Sequence, residues 1–173
     1  VKGNNGSVNI TITENENAPT VSLVSSSASI AENSGSSITL TTTLNQITDE
    51  AVTVSFSTSG VATSGTDYGS ISSITIAANS TTGTTSFTPT DDAVYEGDEL
   101  AAVAISSVSG GGGGVNENGT QAVTITITDD ESAPTVTLAS SASSIAENGS
   151  SLTLTATLSG ATTADVTVGI STS

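Results

Sequence analysis

The chain contains no Cys, His, Met or Trp, only two Phe and two Tyr, and a single basic residue, Lys2, among 173 residues. Each absence removes a class of chemistry. Without His or Cys there is no imidazole general base, no thiol nucleophile, no zinc or iron–sulfur site and no disulfide framework. Paired carboxylates can hydrolyse glycosides, but they need a cleft with aromatic platforms, and the chain is 2% aromatic. An enzyme is not expected. One Lys against 17 Asp and Glu leaves a formal net charge of −16, which repels phosphate backbones and anionic headgroups, so nucleic acid is not an expected partner. No apolar run approaches the ~18 residues that cross a bilayer, so no direct membrane insertion is expected.

What remains is small and polar. Ser and Thr make up about a third of the chain, with 17 Gly. Only 10% of residues are charged, which does not describe a disordered polyelectrolyte, so the chain should fold. A Cys-free, Lys-poor composition rich in Ser, Thr, Gly and Asp fits a bacterial protein held outside the cell or on its surface. Val1 opens no signal segment, and the sequence reads as an internal window of something longer.

Internal similarity decides the organisation. The stretch from Val8 to Asn33, VNITITENENAPTVSLVSSSASIAEN, recurs from Val123 to Asn148 as VTITITDDESAPTVTLASSASSIAEN, an offset of 123 − 8 = 115. After one deletion near Gly149 the match continues at an offset of 114, pairing SITLTTTL from Ser37 with SLTLTATL from Ser151. With Pro19 and Pro134 as equivalent junctions, residues 1–17 end one repeat, residues 18–132 form a complete one, and residues 133–173 begin the next. A unit of that length can bury its own core, so the repeats are expected to be beads in an array.

Within the complete unit the apolar residues alternate, which is the pattern of strands packed on one face. Val123, Ile125 and Ile127 point one way in the last strand, and Thr124, Thr126 and Thr128 the other. Six further strands are expected: Thr20 to Ile30, broken near Ser25 to Ser27; one with Ile38, Leu40 and Leu44; one with Val52, Val54 and Phe56; one with Ile74 and Ile76; one with Thr85 and Phe87; and one with Val103 and Ile105. Short β-branched strands between Gly, Ser, Asn and Asp clusters predict an all-β, antiparallel sandwich. The Gly110 to Gly114 run is expected to be a long, mobile connection, and Tyr68 a packing residue.

Seven strands that alternate in direction bring the loops after the first, third, fifth and seventh strands to one pole. Those loops carry Glu32, then Asp67, then Asp91, Asp92, Glu96, Asp98 and Glu99, then Asp129, Asp130 and Glu131. With no base nearby, so many carboxylates raise one another's pKa values, and a bound cation relieves the conflict. Oxygen ligands without imidazole or thiolate suit calcium. Solvated loop tips are the plainer alternative, and the convergence of separate segments weighs against it.

These residues resemble the Calx-β domain family, found in sodium–calcium exchangers and many bacterial surface proteins. The resemblance rests on SIAENSGS from Ser29, FSTSGVATSGTDY from Phe56, TDDAVYEGDE from Thr90 and VTITITDDE from Val123, in that order. It implies a seven-stranded immunoglobulin-like sandwich and makes Glu32, Asp91, Asp92, Glu96, Glu99, Asp129 and Asp130 calcium ligand candidates, with Glu131 next. Some members use an acid where this chain has Ser59-Gly60, which leaves the number of ions open.

The function expected is an extracellular structural or adhesive protein, a surface stalk or filament of tandem sandwiches whose junctions are stiffened by calcium. Its partners would be neighbouring repeats, and copies of itself in a fibre. Glu14-Asn15-Glu16 stands at the earlier junction where Asp129 to Glu131 stand at the later one. The alternatives are a module whose Thr rows bind glycan or ice, and a calcium-sensing regulatory domain.

Overall fold

The computed structural model describes residues 7–11, 13 and 15–171, so Glu14 lies outside the described residues. The sandwich is built from β1 (Thr20–Ser25), β2 (Ser29–Ala31), β3 (Ile38–Leu44), β4 (Val52–Gly60), β5 (Ile74–Ile76), β6 (Thr82–Phe87), β7 (Val94–Tyr95), β8 (Glu99–Gly110), β9 (Asn116–Glu117) and β10 (Ala122–Thr128). One sheet has the order β6-β3-β1-β9 and the other β2-β10-β8-β4-β5. Among the described residues the helical pieces are two three-residue 3-10 turns, Glu32–Ser34 and Gly111–Gly113. No helix of the described residues is long and apolar enough to cross a membrane.

The two-residue period builds the core directly. Val21, Leu23, Ile38, Leu40 and Leu44 from one sheet cluster with Val52, Val54, Ile74, Ile76, Val103, Ile125 and Ile127 from the other. Full burial of each such side chain is worth roughly 1.5–3 kcal/mol. The ring of Tyr68 is 1% exposed and stacks on Phe87 with centroids 4.7 Å apart, which closes the acidic end of the core. On β10 the expected faces hold, although Val123 is only half-buried and Thr126 and Thr128 are partly covered, leaving Thr124 exposed.

The long ladders are antiparallel, and two edge pairings are not. The first strand breaks after Ser25, and its halves join different sheets. β1 pairs β3 antiparallel and β9 parallel, while β2 crosses over and runs parallel to β10. The crossing is what positions the acidic pole, because Thr128 faces Ala31 in the parallel register and the next residues of the two strands are Asp129 and Glu32.

In the glycine run Gly110 to Gly113 all have positive φ, Gly110 and Gly111 pass close to Ala51 and Val52 while Gly112 to Gly114 are exposed, and Asn116 and Glu117 form β9. A Cβ on Gly110 would lie 2.1 Å from the carbonyl oxygen of Ala51, so the tight path needs glycine for space as well as for φ.

Beyond the sandwich, β11 (Val136–Ser140) and β12 (Leu154–Leu158) pair antiparallel, and β13 (Ala161–Thr162) follows. Val136 faces Leu158 as Val21 faces Leu44, so the hairpin repeats the β1–β3 ladder at the offsets read from the sequence. Leu138, Leu154 and Leu158, whose counterparts Leu23, Leu40 and Leu44 are buried, are exposed.

Candidate metal centre

Three backbone features converge on one end of the sandwich. The parallel β2–β10 register sets Glu32 beside Asp129. The antiparallel β8–β10 register sets Glu99 opposite Ile127, two residues before Asp129. Asp67 is carried in by a turn in which the Thr63 N–H and Oγ1 donate to its Oδ2 at 2.6 and 3.1 Å, immediately before the buried Tyr68.

The side chains then form two groups. Glu32, Asp129 and Glu131 each bring a carboxylate oxygen within 4.8 Å of one from each of the others, and Asp67, Glu96 and Glu99 do the same. Asp129 links them, since its Oδ2 accepts the backbone N–H of Glu96 at 3.1 Å and of Gly97 at 2.6 Å. Gly97 has φ +77, a conformation that L side chains rarely adopt.

Electrostatics follow from that crowding. Burial pushes Glu32 up to about 8, helped by its hydrogen bond with Glu131 and the charges of Glu131 and Asp129. Burial pushes Glu99 up to about 7, with the charge and hydrogen bond of Asp67 next. Glu96 is raised by burial and by the charges of Asp67 and Asp92. Burial also opposes the charge on Asp129, but the Gly97 N–H, the hydrogen bond with Glu131 and further backbone N–H groups outweigh it and hold that carboxyl below its ordinary value. The hydrogen bond with Glu32 favours the charged form of Glu131, yet the hydrogen bond with Asp129, burial and the nearby charges raise it overall.

Each group also holds an unmet demand. Glu32 Oε1, Glu131 Oε2 and Glu99 Oε2 are buried without a hydrogen-bond partner. Orphaned buried carboxylate oxygens are costly, and a hard cation satisfies them while cancelling the repulsion. The donor set is all oxygen, so the residues present fit such an ion.

Of the acids picked out in the sequence, Glu32, Asp129 and Glu131 meet in one group, and Glu96 and Glu99 in the other. Asp91, Asp92 and Asp130 belong to neither. Asp91 is exposed, Asp92 Oδ1 accepts the Val94 N–H at 2.7 Å, and Asp130 Oδ2 accepts from Asn33 Nδ2 at 2.5 Å. Asp67, which the family resemblance does not make a ligand candidate, joins Glu96 and Glu99, and its place among the acids of the pole, before Tyr68, is the signal for it in the sequence. At Gly60 a Cβ would lie 2.0 Å from the Leu100 carbonyl oxygen, which bars an acid from that position here.

The sequence model of the Calx-beta domain matches residues 14–131. The chain belongs to the Calx-beta family. No curated protein matches it. Among solved structures, the apo form of the Calx CBD1 domain is similar with a TM-score of 0.52 and 21% identity, covering 64% of this chain and 98% of that one. CBD12 from CALX1.2 is similar with a TM-score of 0.52 and 21% identity, over 63% of this chain and 44% of that one. The calcium binding domain CBD12 of CALX1.1 is similar at 0.50 and 23% identity, over 59% of this chain and 41% of that one. At these identities the likeness establishes the sandwich fold.

Proposed function

We propose that this Calx-beta chain is part of an extracellular tandem-repeat structural protein, a cell-surface stalk or filament, in which calcium held at the C-terminal pole of each sandwich stiffens the junction to the next. The observation that carries this reading is the group formed by Glu32, Asp129 and Glu131, with buried, unpartnered oxygens on Glu32 and Glu131. Asp129 and Glu131 lie on the segment between β10 and Pro134, so an ion held there ties the outgoing chain to Glu32, directly after β2.

Glu32, Asp129 and Glu131 would hold one calcium, and Asp67, Glu96 and Glu99 would complete a second site or extend the first. Calcium takes 6 to 8 oxygens, so backbone carbonyls and water fill the remaining positions. The role is mechanical, and no residue is assigned to catalysis. With the ion removed, repulsion among the acids favours a loose junction, most strongly at low salt where screening is weak.

A calcium-sensing regulatory role uses the same ion site with a different readout, and the likeness to a calcium binding domain supports keeping it as the second reading. A glycan- or ice-binding face on β10 has less support, since Thr126 and Thr128 are partly covered.

The test is calorimetric titration of the 173-residue chain with calcium, paired with small-angle scattering in calcium and in chelator. Binding at about 1 mM or tighter, with a smaller spread of dimensions in calcium, is the expected result. Binding without a change in dimensions would favour a site that stabilises the domain alone. No binding would remove calcium from the account.

A further inference from the structure

The acidic loop carries a feature the ion site does not use. Between Asp92 and Glu96 the chain extends as β7, and β13 lies against it in parallel, with Ala161 opposite Val94 and Thr162 opposite Tyr95. These two strands belong to different repeats. β7 is in the loop 88–98 of the complete unit, and β13 follows the hairpin of the next.

The internal repeat tells what β13 is. At the offset of 114, Ala161 and Thr162 correspond to Ile47 and Thr48, in the loop after β3. In the complete unit that loop stands at the opposite pole from the acids. Ile47 is 59% exposed there, and no hydrogen bond among the described residues uses its backbone N–H or C=O. With Ala18, Pro19, Gln46, Gly111 and Gly112 it lines an open cavity of about 690 Å³. Thr48 is buried and its carbonyl oxygen accepts the Asn79 N–H at 2.8 Å, so within this pair Ile47 is the unpaired backbone position where no preceding loop is present, and its counterpart Ala161 is paired where one is. An exposed edge with free backbone groups is a ready template for strand addition.

We propose that the loop after the second long strand of each repeat adds a short parallel strand to the loop 88–98 of the repeat before it, so that backbone pairing latches neighbouring repeats. The partner of this surface is a second copy of the same unit, met head to tail. The latch rests on the junction reading above for its role and adds a mechanism to it. β7 runs straight into Glu96 and Gly97, whose N–H groups bind Asp129, so the latch and the acidic pole share one loop. Ordering of either end restricts the other.

The chain has no Cys, so an introduced pair can form only one intramolecular disulfide. Strand-paired residues stand roughly 5 Å apart, within the Cα range that a disulfide accepts. The experiment is oxidation of the full chain carrying Val94→Cys with Ala161→Cys, against a control with Val94→Cys and Ser150→Cys, at the far end of the hairpin. The latch predicts cross-linking within one chain at least about 10-fold faster than in the control. Equal rates overturn it. Tyr95→Cys with Thr162→Cys repeats the test if the first pair disturbs folding. Calcium titration of the reduced variants separates the two readings. Fast cross-linking without calcium binding keeps the latch and removes the ion, whereas calcium binding with control-rate cross-linking does the reverse.

Discussion

Asp129 Oδ2 accepts the backbone N–H of Gly97 at 2.6 Å, and with the Glu96 N–H at 3.1 Å this contact ties the exit of the last strand to the acidic loop 88–98. The two residues are 32 apart in sequence and belong to different segments of the pole. Through it the negative charge of Asp129 is held in place by donors even as its neighbours Glu32 and Glu131 are pushed toward protonation.

Removing the charge and removing the acceptor should therefore differ. Asp129→Asn keeps an oxygen for Gly97 and Glu96 and loses the anion, so calcium affinity should drop at least about 10-fold, with the ion-free melting temperature little changed. Asp129→Ala also leaves two N–H groups without their acceptor, which costs about 1–3 kcal/mol in the ion-free protein. Calorimetry and thermal melts on both variants check the split, and equal melting temperatures would count against it.

Stability without calcium should fall as pH rises. Glu32 is raised from 4.5 to about 8 and Glu99 from 4.5 to about 7, so between those values the folded state binds more protons than the unfolded state. Stability is then greatest near pH 4.5, declines toward pH 8 and levels off above it. The melting temperature in chelator should drop by at least roughly 4 °C from pH 5 to pH 8, the worth of about 1 kcal/mol in a domain this size. Saturating calcium should flatten or reverse the trend, because the ion favours the ionised carboxylates.

The β10 register predicts a pair of unlike neighbours. Ile125 is fully buried and Thr124 is exposed. Ile125→Asp should unfold the chain by placing an unpaired charge in the core, whereas Thr124→Asp should cost about 1 kcal/mol or less. Circular dichroism melts decide it, and two similar losses would mean that the register is wrong.

The glycine run should show a gradient. Alanine at Gly110 meets the Ala51 carbonyl at 2.1 Å as well as an unfavourable φ, while at Gly113 nothing lies within 4 Å and only φ +87 resists. Gly110→Ala should cost upwards of about 2 kcal/mol and Gly113→Ala nearer 1 kcal/mol. Equal effects in urea denaturation would show that crowding at Gly110 is relieved by backbone movement.

Much of the domain was legible in the sequence because its information is local. The alternation of Val123, Thr124, Ile125 and Thr126 states which face is buried, since the side-chain period of a strand is two whatever the partner. The repeat is legible by comparison of the chain with itself, and the hairpin β11–β12 reproduces the β1–β3 register that the repeat requires. The alternation of strand direction was enough to gather the acids at one pole.

Which acids touch was decided by tertiary structure. Glu32 and Asp129 are neighbours because the first strand breaks at Ser26 to Ala28 and its second half runs parallel to β10, a pairing across nearly the whole domain that no local pattern encodes. Asp67 joins Glu96 and Glu99 because a turn anchored by Thr63 aims it, while Asp91 and Asp92, in a segment as acidic as any, join neither group. The pairing of β7 with β13 was likewise outside the reach of composition or period, since two residues make no pattern. Local periodicity determines which face of a strand is apolar. Long-range register and loop geometry determine which polar groups meet, because each rests on contacts between residues far apart in the chain.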